Sequence, residues 1–463
     1  MVRKRIIMSA GIVTAVCLFG ACASKSSEEP NWQTTEQNQV IESEKTDEQT
    51  TEQNQVTEAK KADDHVTTNV ENLTENTSQG ICIDYAIISY EDVQNFGYEL
   101  FAQNIQGNNP VLSPVSAYIA LSMAGCGTDG ATCDEFCSVL GDMEVFSDDM
   151  MNNLPQDGEQ QKLSIANSVW IDDEFIVDDM WLGTIKSLMD AEAFQADLST
   201  EEAMNGMNSW IANHTNGMID KMIDVPLDTW TRLALFDTIY FKGKWQTPFE
   251  AQNTHQEDFY IDQARNRTEQ VDMMNLYETN LDYIANDFAE GVILPYQKND
   301  DSSCENLVFV ALKPIGNENI REVYDKLTNE VIMDILVNKQ TELVNLKLPK
   351  FEITFDKELN ECLSNMGLVE CFDVERANFD RMGKTQSGDN LYISLVHQKA
   401  KIIVDEEGTE AAAVTEVIMA CGAAIVEPQN PKEVYFNEPF VYMIMNLDKE
   451  LPLFIGILDN PVS

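Results

Sequence analysis

The chain has 463 residues, 43% hydrophobic and 24% charged, which suits one large or two ordinary folded domains and excludes a chain disordered throughout. Its 30 Lys and Arg stand against 79 Asp and Glu, a formal net charge of −49. With no cluster of cations to meet phosphate or sulfate, nucleic acid and heparin-like polyanions are excluded as expected partners.

The first residues read as an export signal: Arg3, Lys4 and Arg5 precede an apolar run from Ile6 to Phe19, and Gly20-Ala21-Cys22 follows. Small residues ahead of a cysteine resemble a bacterial lipobox, although Phe19 stands where an aliphatic is usual. Signal cleavage near Ala23 and a retained membrane anchor are the alternatives. On the lipobox reading, residues 1–21 are removed and Cys22 carries the lipid. The exported chain is then held to the bacterial cell membrane, facing outward, without a spanning helix. Residues 22–85 are acidic and polar, and Q-T-T-E-Q-N-Q-V occurs at Gln33–Val40 and again 16 residues on at Gln49–Val56. Little there offsets the entropy of ordering, so a disordered tether with an r.m.s. reach of roughly 40 Å is expected.

Apolar periodicity begins near Cys82 and continues to the C-terminus with no second linker, which predicts one domain over 86–463. Helical patterns cover Tyr90–Ile105, Ser116–Gly125 and Thr132–Leu140, and Ser113-Pro114 supplies a cap and a first-turn proline for the second of them. Cys133 and Cys137 are spaced for one helix face, where two buried thiols are expected rather than a metal site. A strand is expected at Ile165–Trp170, and a helix at Met204–Thr215 closed by Asn216-Gly217. Strand-like runs follow at Leu233–Phe241, Leu281–Ala285, Gly291–Leu294, Asn306–Leu312 and Glu342–Leu348, then at Lys401–Val404, Phe440–Met445 and Leu453–Leu458. Helices early and strands late predict an α+β protein with large antiparallel or mixed sheets.

Nothing in the domain points to an enzyme. His214, His255 and His397 are its only histidines, and no G-x-S-x-G, H-E-x-x-H or phosphate-cradling loop occurs. No metal and no cofactor are expected, and Ser113 and Ser116 read as a helix cap and a packing hydroxyl. The unusual stretch is Glu406–Val426, E-E-G-T-E-A-A-A-V-T-E-V-I-M-A-C-G-A-A-I-V. An Ala-rich helix is one reading. As a strand, Thr409, Ala411, Ala413, Thr415, Val417 and Met419 face one way, all small or apolar, while Glu410 and Glu416 face the other. Such a segment suits two states, exposed in one and inserted in a sheet in the other.

Six blocks, in order, resemble the serpin family over about 86–463. They are N-N-P-V-L-S-P-V-S-A-Y-I-A-L-S-M-A-G-C-G-T (Asn108–Thr128), I-A-N-S-V-W (Ile165–Trp170) and Y-F-K-G-K-W (Tyr240–Trp245) with Pro248-Phe249 and Thr254 beyond. L-P-K-F-E (Leu348–Glu352), E-E-G-T-E-A-A-A (Glu406–Ala413), and F-N-E-P-F (Phe436–Phe440) with P-L-F-I-G (Pro452–Gly456) complete them.

The resemblance implies helices on a large mixed main sheet, smaller sheets, and an exposed reactive loop at about 406–432. It implies a monomeric suicide substrate that is cut by a serine, or possibly cysteine, protease and traps the acyl-enzyme by inserting the loop into the main sheet. Glu406, Glu407, Gly408, Thr409, Glu410, Ala411, Ala412 and Ala413 match the hinge. Counting from Glu406 puts the reactive bond at Gly422-Ala423, with Met419, Ala420, Cys421 and Ala424 as alternatives. Each of these is small or aliphatic, which implies elastase-like or subtilisin-like targets. Gly243, Trp245 and Thr254 match the top of the main sheet. Ser113, Ser116, Asp237 and Gln398 match the latch beneath it, with Asp237-Thr238 where the family usually has Asn-Ala, and Gln398 where it usually has His. Asp237 and Gln398 are expected to bond to each other, and His397 to face away. A non-inhibitory serpin acting as a surface binding or adhesion lipoprotein is the alternative, and the hinge composition weighs against it.

Overall fold

In the computed structural model of the protein, the described residues are 71–73, 90–217, 219, 221–229, 231–262, 266–299, 306–316, 318–385, 388, 390–409 and 430–462. In chain order the elements begin with β1 (Glu71–Asn72), α1 (Glu91–Asn104), β2 (Val111–Leu112), α2 (Pro114–Gly125), α3 (Gly130–Leu140), α4 (Met143–Asn153), β3 (Gln156–Asp157) and β4 (Gln161–Asp172). Next come β5 (Phe175–Val177), α5 (Asp179–Met189), β6 (Glu192–Ala196), α6 (Glu201–His214), β7 (Leu233–Lys244), β8 (His255–Tyr260), β9 (Thr268–Ala285), β10 (Ala289–Pro295) and β11 (Leu307–Pro314). The chain continues through α7 (Ile320–Tyr324), α8 (Asn329–Val337), β12 (Gln340–Pro349), β13 (Phe351–Glu358), α9 (Asn360–Met366) and β14 (Gly383–Thr385). It ends with β15 (Leu395–Val404), β16 (Gly408–Thr409), β17 (Lys432–Tyr435), β18 (Phe440–Asn446) and β19 (Leu451–Leu458).

The main sheet has the order β1-β6-β4-β7-β16-β15-β13, with β3 beside β4. A nine-stranded sheet runs β17-β12-β9-β10-β11-β18-β19-β2, with β8 beside β9, and β14 pairs with β5 alone. The expected α+β architecture with mixed sheets is therefore present. β4 and β7 are antiparallel, β7 and β15 parallel, and β15 and β13 antiparallel. The edge strand β1 lies within the span read as tether: Glu71 and Asn72 pair with Gln195 and Phe194 of β6.

Local chemistry explains the central elements. Every residue of α2 is buried, as its apolar run without a polar face requires of a helix inside a core. Ser113 is extended and its side chain accepts from the Ser116 N–H, while Pro114 fills the first turn, so the helix starts where the sequence places it. β18 and β19 are buried along their whole length, matching their unbroken apolar runs. A second apolar cluster, with Trp170, Phe194, Met207, Trp210, Ile211 and Phe236, joins α6 to β4, β6 and β7. Asn216 and Gly217, both at positive φ (53° and 77°), end the α6 segment as their types predict.

Candidate functional site

β7 and β15 are paired only at one end. Parallel register runs from Ala234 with Leu395 to Ile239 with Ala400. Beyond that point β16 occupies the space between them. Gly408 and Thr409 pair with Lys244 and Gly243 of β7, and Thr409 also pairs with Val404 of β15. The first two hinge residues after Glu407 thus already stand as a strand between the two central strands. A Cβ added at Gly408 would lie 2.0 Å from the Gly243 carbonyl oxygen, so only glycine fits this approach. Thr409 is 1% exposed and its Oγ1 lies 2.6 Å from the Tyr296 hydroxyl. It faces inward, on the face that the alternation assigned to small and apolar residues.

The turn leading into β16 is held at several points. Trp245, fully buried, donates from Nε1 to the Asp405 carbonyl (2.9 Å) and from its backbone N–H to the Glu407 carbonyl (2.8 Å). Its ring stacks on Tyr296 at 4.8 Å and meets Phe309 edge-on at 5.7 Å. The Phe249 N–H donates to the Glu406 carbonyl at 2.9 Å. The Glu406 carboxylate accepts from Thr254 Oγ1 at 2.8 Å and pairs with Lys350 Nζ at 2.7 Å. Sequence reasoning named Trp245 and Thr254 here but missed Lys350 and Tyr296. Lys350 lies in the quoted L-P-K-F-E block, whereas Tyr296 carries no local signal.

Electrostatics sets the pH range over which this clamp holds. Burial would raise the Glu406 carboxyl, but hydrogen bonds from Lys350 and Thr254 outweigh it and hold the group below its ordinary range. Burial would likewise lower Lys350, yet Glu406 keeps it raised. Lys350 is more than a third exposed, so the pair is discounted toward the ~1 kcal/mol of a surface ion pair. Asp405 is shifted the other way. Burial raises it, against the N–H groups of Glu407 and Gly408 that its carboxylate accepts. A depressed carboxyl contributes stability above its unfolded pKa, about 4.3 for Glu, and loses it as pH falls through the lower folded value. Protection of the Trp245 and Phe249 amides, their exchange relative to the free-chain rate at the same pH, should therefore be strong at neutral pH and weaken below about pH 4, with faster exchange on that scale. A Lys350→Met variant should show the faster exchange already at pH 7, and unchanged protection there would remove the clamp from the account.

Below β16 lies a second fastening. The buried Gln398 side chain bridges to the backbone of Ser113, its Oε1 accepting from the Ser113 N–H (3.0 Å) and its Nε2 donating to the Ser113 carbonyl (2.9 Å). One amide thus ties β15 to the cap of α2. Ser113 and Ser116 are both buried, and the Ser113 hydroxyl oxygen accepts from the Ser116 N–H at 3.3 Å. Asp237 stands in register between Gln398 on β15 and Asn167 on β4, but its side chain lies outside the described residues. The expected Asp237–Gln398 bond lies there with it. His397 turns to the opposite face and pairs with Asp356 at 2.7 Å, as the alternation predicts.

Asn167 is the residue of this row that sequence reasoning missed. It is 2% exposed, and neither amide atom finds a partner among the described residues. The same is true of Gln161 on the same face of β4. A buried, unpaired polar group costs about 1–3 kcal/mol. Asn167→Leu should raise the thermal midpoint of the intact chain, and a fall would show that Asp237, in register beside it, satisfies the amide. The only sequence signal of Asn167 is a polar residue alternating with the apolar Leu163, Ile165, Val169 and Ile171 on the buried face of β4.

Glu410–Ala413, the bond candidates Met419, Ala420, Cys421, Gly422, Ala423 and Ala424, and Cys22 all lie outside the described residues. The family model for serpin (serine protease inhibitor) matches residues 91–461. This chain is a serpin. It is 30% identical over 376 residues to the alpha-1-antitrypsin-like protein GS55-MS of Ictidomys tridecemlineatus, covering 79% of this chain and 86% of that one. It is also 30% identical over 418 residues to human alpha-1-antichymotrypsin, covering 84% and 92%. Among solved structures, the thermophilic serpin tengpin in its native state superposes with a TM-score of 0.77 at 32% identity, over 84% of this chain and 99% of that one. The serpin family consists of protease inhibitors rather than enzymes, and its partners are target proteases. In this serpin, β7 and β15 are the strands between which an added strand would lie, and β16 marks its start.

Proposed function

We propose that this serpin is a lipid-anchored trap for serine proteases with small or aliphatic specificity, elastase-like or subtilisin-like, cut at Gly422-Ala423 or at a neighbouring bond from Met419 to Ala424. The observation that carries the trapping reading is β16, which already holds the first position between β7 and β15. After attack, the hinge side of the cut loop extends β16 along the slot. The single ladder between β7 and β15 is exchanged for two, at about 1 kcal/mol net for each new backbone bond. Inward methyls of Ala411, Ala413, Thr415 and Val417 add about 0.8 kcal/mol per buried CH₂. Over a dozen residues the sum is of the order needed to drag a covalently attached protease along and distort its active site before deacylation.

Specificity rests on composition: no Arg, Lys or aromatic residue lies between Met419 and Ile425, which favours small, apolar specificity pockets over trypsin-like ones. Cys22 and the repeat-bearing segment to residue 85 support display from a bacterial membrane surface. Among the described residues no helix is long and apolar enough to cross a membrane.

The test is incubation of the domain with a small-specificity elastase, followed by a denaturing gel and mass analysis of the released C-terminal peptide. A covalent band and a peptide beginning between Ala420 and Ile425 are expected. Complete cleavage with no covalent band would refute trapping. A covalent band with a trypsin-like enzyme instead would refute the specificity.

A further inference from the structure

Two cysteines sit outside everything described so far. Cys133 and Cys137 lie one turn apart on α3, with their sulfurs 3.9 Å from each other. The expectation of two buried thiols is not met: Cys133 is half-buried and Cys137 exposed, because this face of α3 turns toward solvent while Thr132, Phe136 and Leu140 face the core. The other described cysteines differ. Cys362 and Cys371 are buried, and Cys362 donates to the Leu359 carbonyl at 3.1 Å. Burial pushes the Cys371 thiol far up, and it does the same to Cys126, which is half-buried as Cys133 is but touches no second cysteine sulfur among the described residues. Buried thiols of that kind are inert, whereas a solvent-accessible pair in mutual contact is open to exchange.

We propose that Cys133 and Cys137 are a reversible dithiol site, oxidised to an intrahelical disulfide by exchange with a low-molecular-weight disulfide. One thiolate attacks a sulfur of the small disulfide R–S–S–R, forming a mixed disulfide and releasing R–SH. The second cysteine then loses its proton and attacks the protein-side sulfur, closing the Cys133–Cys137 bond and releasing a second R–SH. Two protein thiols are oxidised and one small disulfide is reduced to two thiols, so the step needs no other oxidant. The sulfur contact makes closure intramolecular. Burial, and after it the adjoining Cys133, pushes the Cys137 thiol up to about 11, so attack by Cys137 is slow at neutral pH and quickens as pH rises.

Geometry decides that the bond is labile rather than structural. Residues four apart on a helix have Cβ atoms about 5–6 Å apart, whereas a disulfide wants about 3.5–4.5 Å. Closure must tighten the turn by roughly 1.5 Å, and strained, exposed disulfides are the easily reduced ones. The strained turn contains Glu135, whose carboxylate accepts from the Val369 and Glu370 N–H groups at 2.8 Å each. Oxidation of the pair therefore disturbs a contact with a distant segment.

The full protein is incubated with oxidised glutathione and examined by intact mass and peptide mapping. Loss of two hydrogens, a Cys133–Cys137 cross-link, and reversal by dithiothreitol are expected, with faster hydrogen exchange at the Val369 and Glu370 amides. Cys133→Ser and Cys137→Ser should each keep a glutathione adduct, since neither retains a resolving thiol. A lasting glutathione adduct on the unmodified sequence would overturn the proposal, as would two free thiols at these positions after incubation.

Discussion

Thr409→Arg is expected to turn the inhibitor into a substrate. Thr409 is buried in the mouth of the slot, against the Tyr296 hydroxyl and between β7 and β15. An Arg at this position withdraws β16 from the slot in the intact chain, so insertion must later carry inward a charge that no described carboxylate meets. An unpaired buried charge costs several kcal/mol even after relaxation, comparable with several new backbone bonds at about 1 kcal/mol each. Insertion is delayed and deacylation overtakes it. The covalent complex should fall at least about tenfold, the change a 1.4 kcal/mol shift in the partition produces, with the loop still cut. Thr409→Ser, which keeps the hydroxyl and loses one methyl, should retain trapping. Undiminished complex from the Arg variant would mean that the strand does not enter through β16.

The second large effect is expected at Gln398. Gln398→Ala leaves the Ser113 N–H without its partner, at about 1–3 kcal/mol, takes one of two donors from the Ser113 carbonyl, which still accepts from the Ala117 N–H, and opens a cavity beside α2. Both bonds tie β15 to the helix cap and are made in the closed sheet. The intact chain should therefore lose several degrees of thermal midpoint. It should also pass into an uncut, inactive form on mild warming faster than the parent. Gln398→His offers one ring in place of the two-atom amide and should restore only part of the stability. If Gln398→Ala left both thermal midpoint and inhibition unchanged, the latch would have to be sought elsewhere.

Much of this site was legible from residue type and spacing. Ser113-Pro114 marks its own cap, and alternation one residue from Gln398 assigns His397 to the far face of β15. Alternation placed Thr409 on the inward side, where it is found. What escaped was what depends on distant partners. Lys350 gains its role only when Glu406 is brought within 2.7 Å, and Asn167 only when β4 is seen to bury an amide with no described partner.

Irregular strands hid for a different reason. β9 runs over 18 residues, yet only its end, Leu281–Ala285, carries a strand pattern in the sequence. Glu278 sits at φ 46° where the register with β12 shifts, so alternation is interrupted at that point. The Asn345 side chain accepts the Glu278 N–H at 2.9 Å and holds the irregularity. Helix α4, M-E-V-F-S-D-D-M-M-N-N, carries little local signal because Ser147, Asp148, Asp149, Asn152 and Asn153 are weak helix formers. It is fixed by burying Met143, Phe146 and Met150, a tertiary effect that local pattern does not carry.

The central claim is that the severed loop becomes a full strand between β7 and β15. A non-target protease that cuts within 419–425 isolates that event from trapping, and thermal unfolding of the cut chain followed by circular dichroism measures it. The cut chain should melt far above the intact one, because one ladder between β7 and β15 has been replaced by two. A cut chain that melts at or below the intact one would contradict the account.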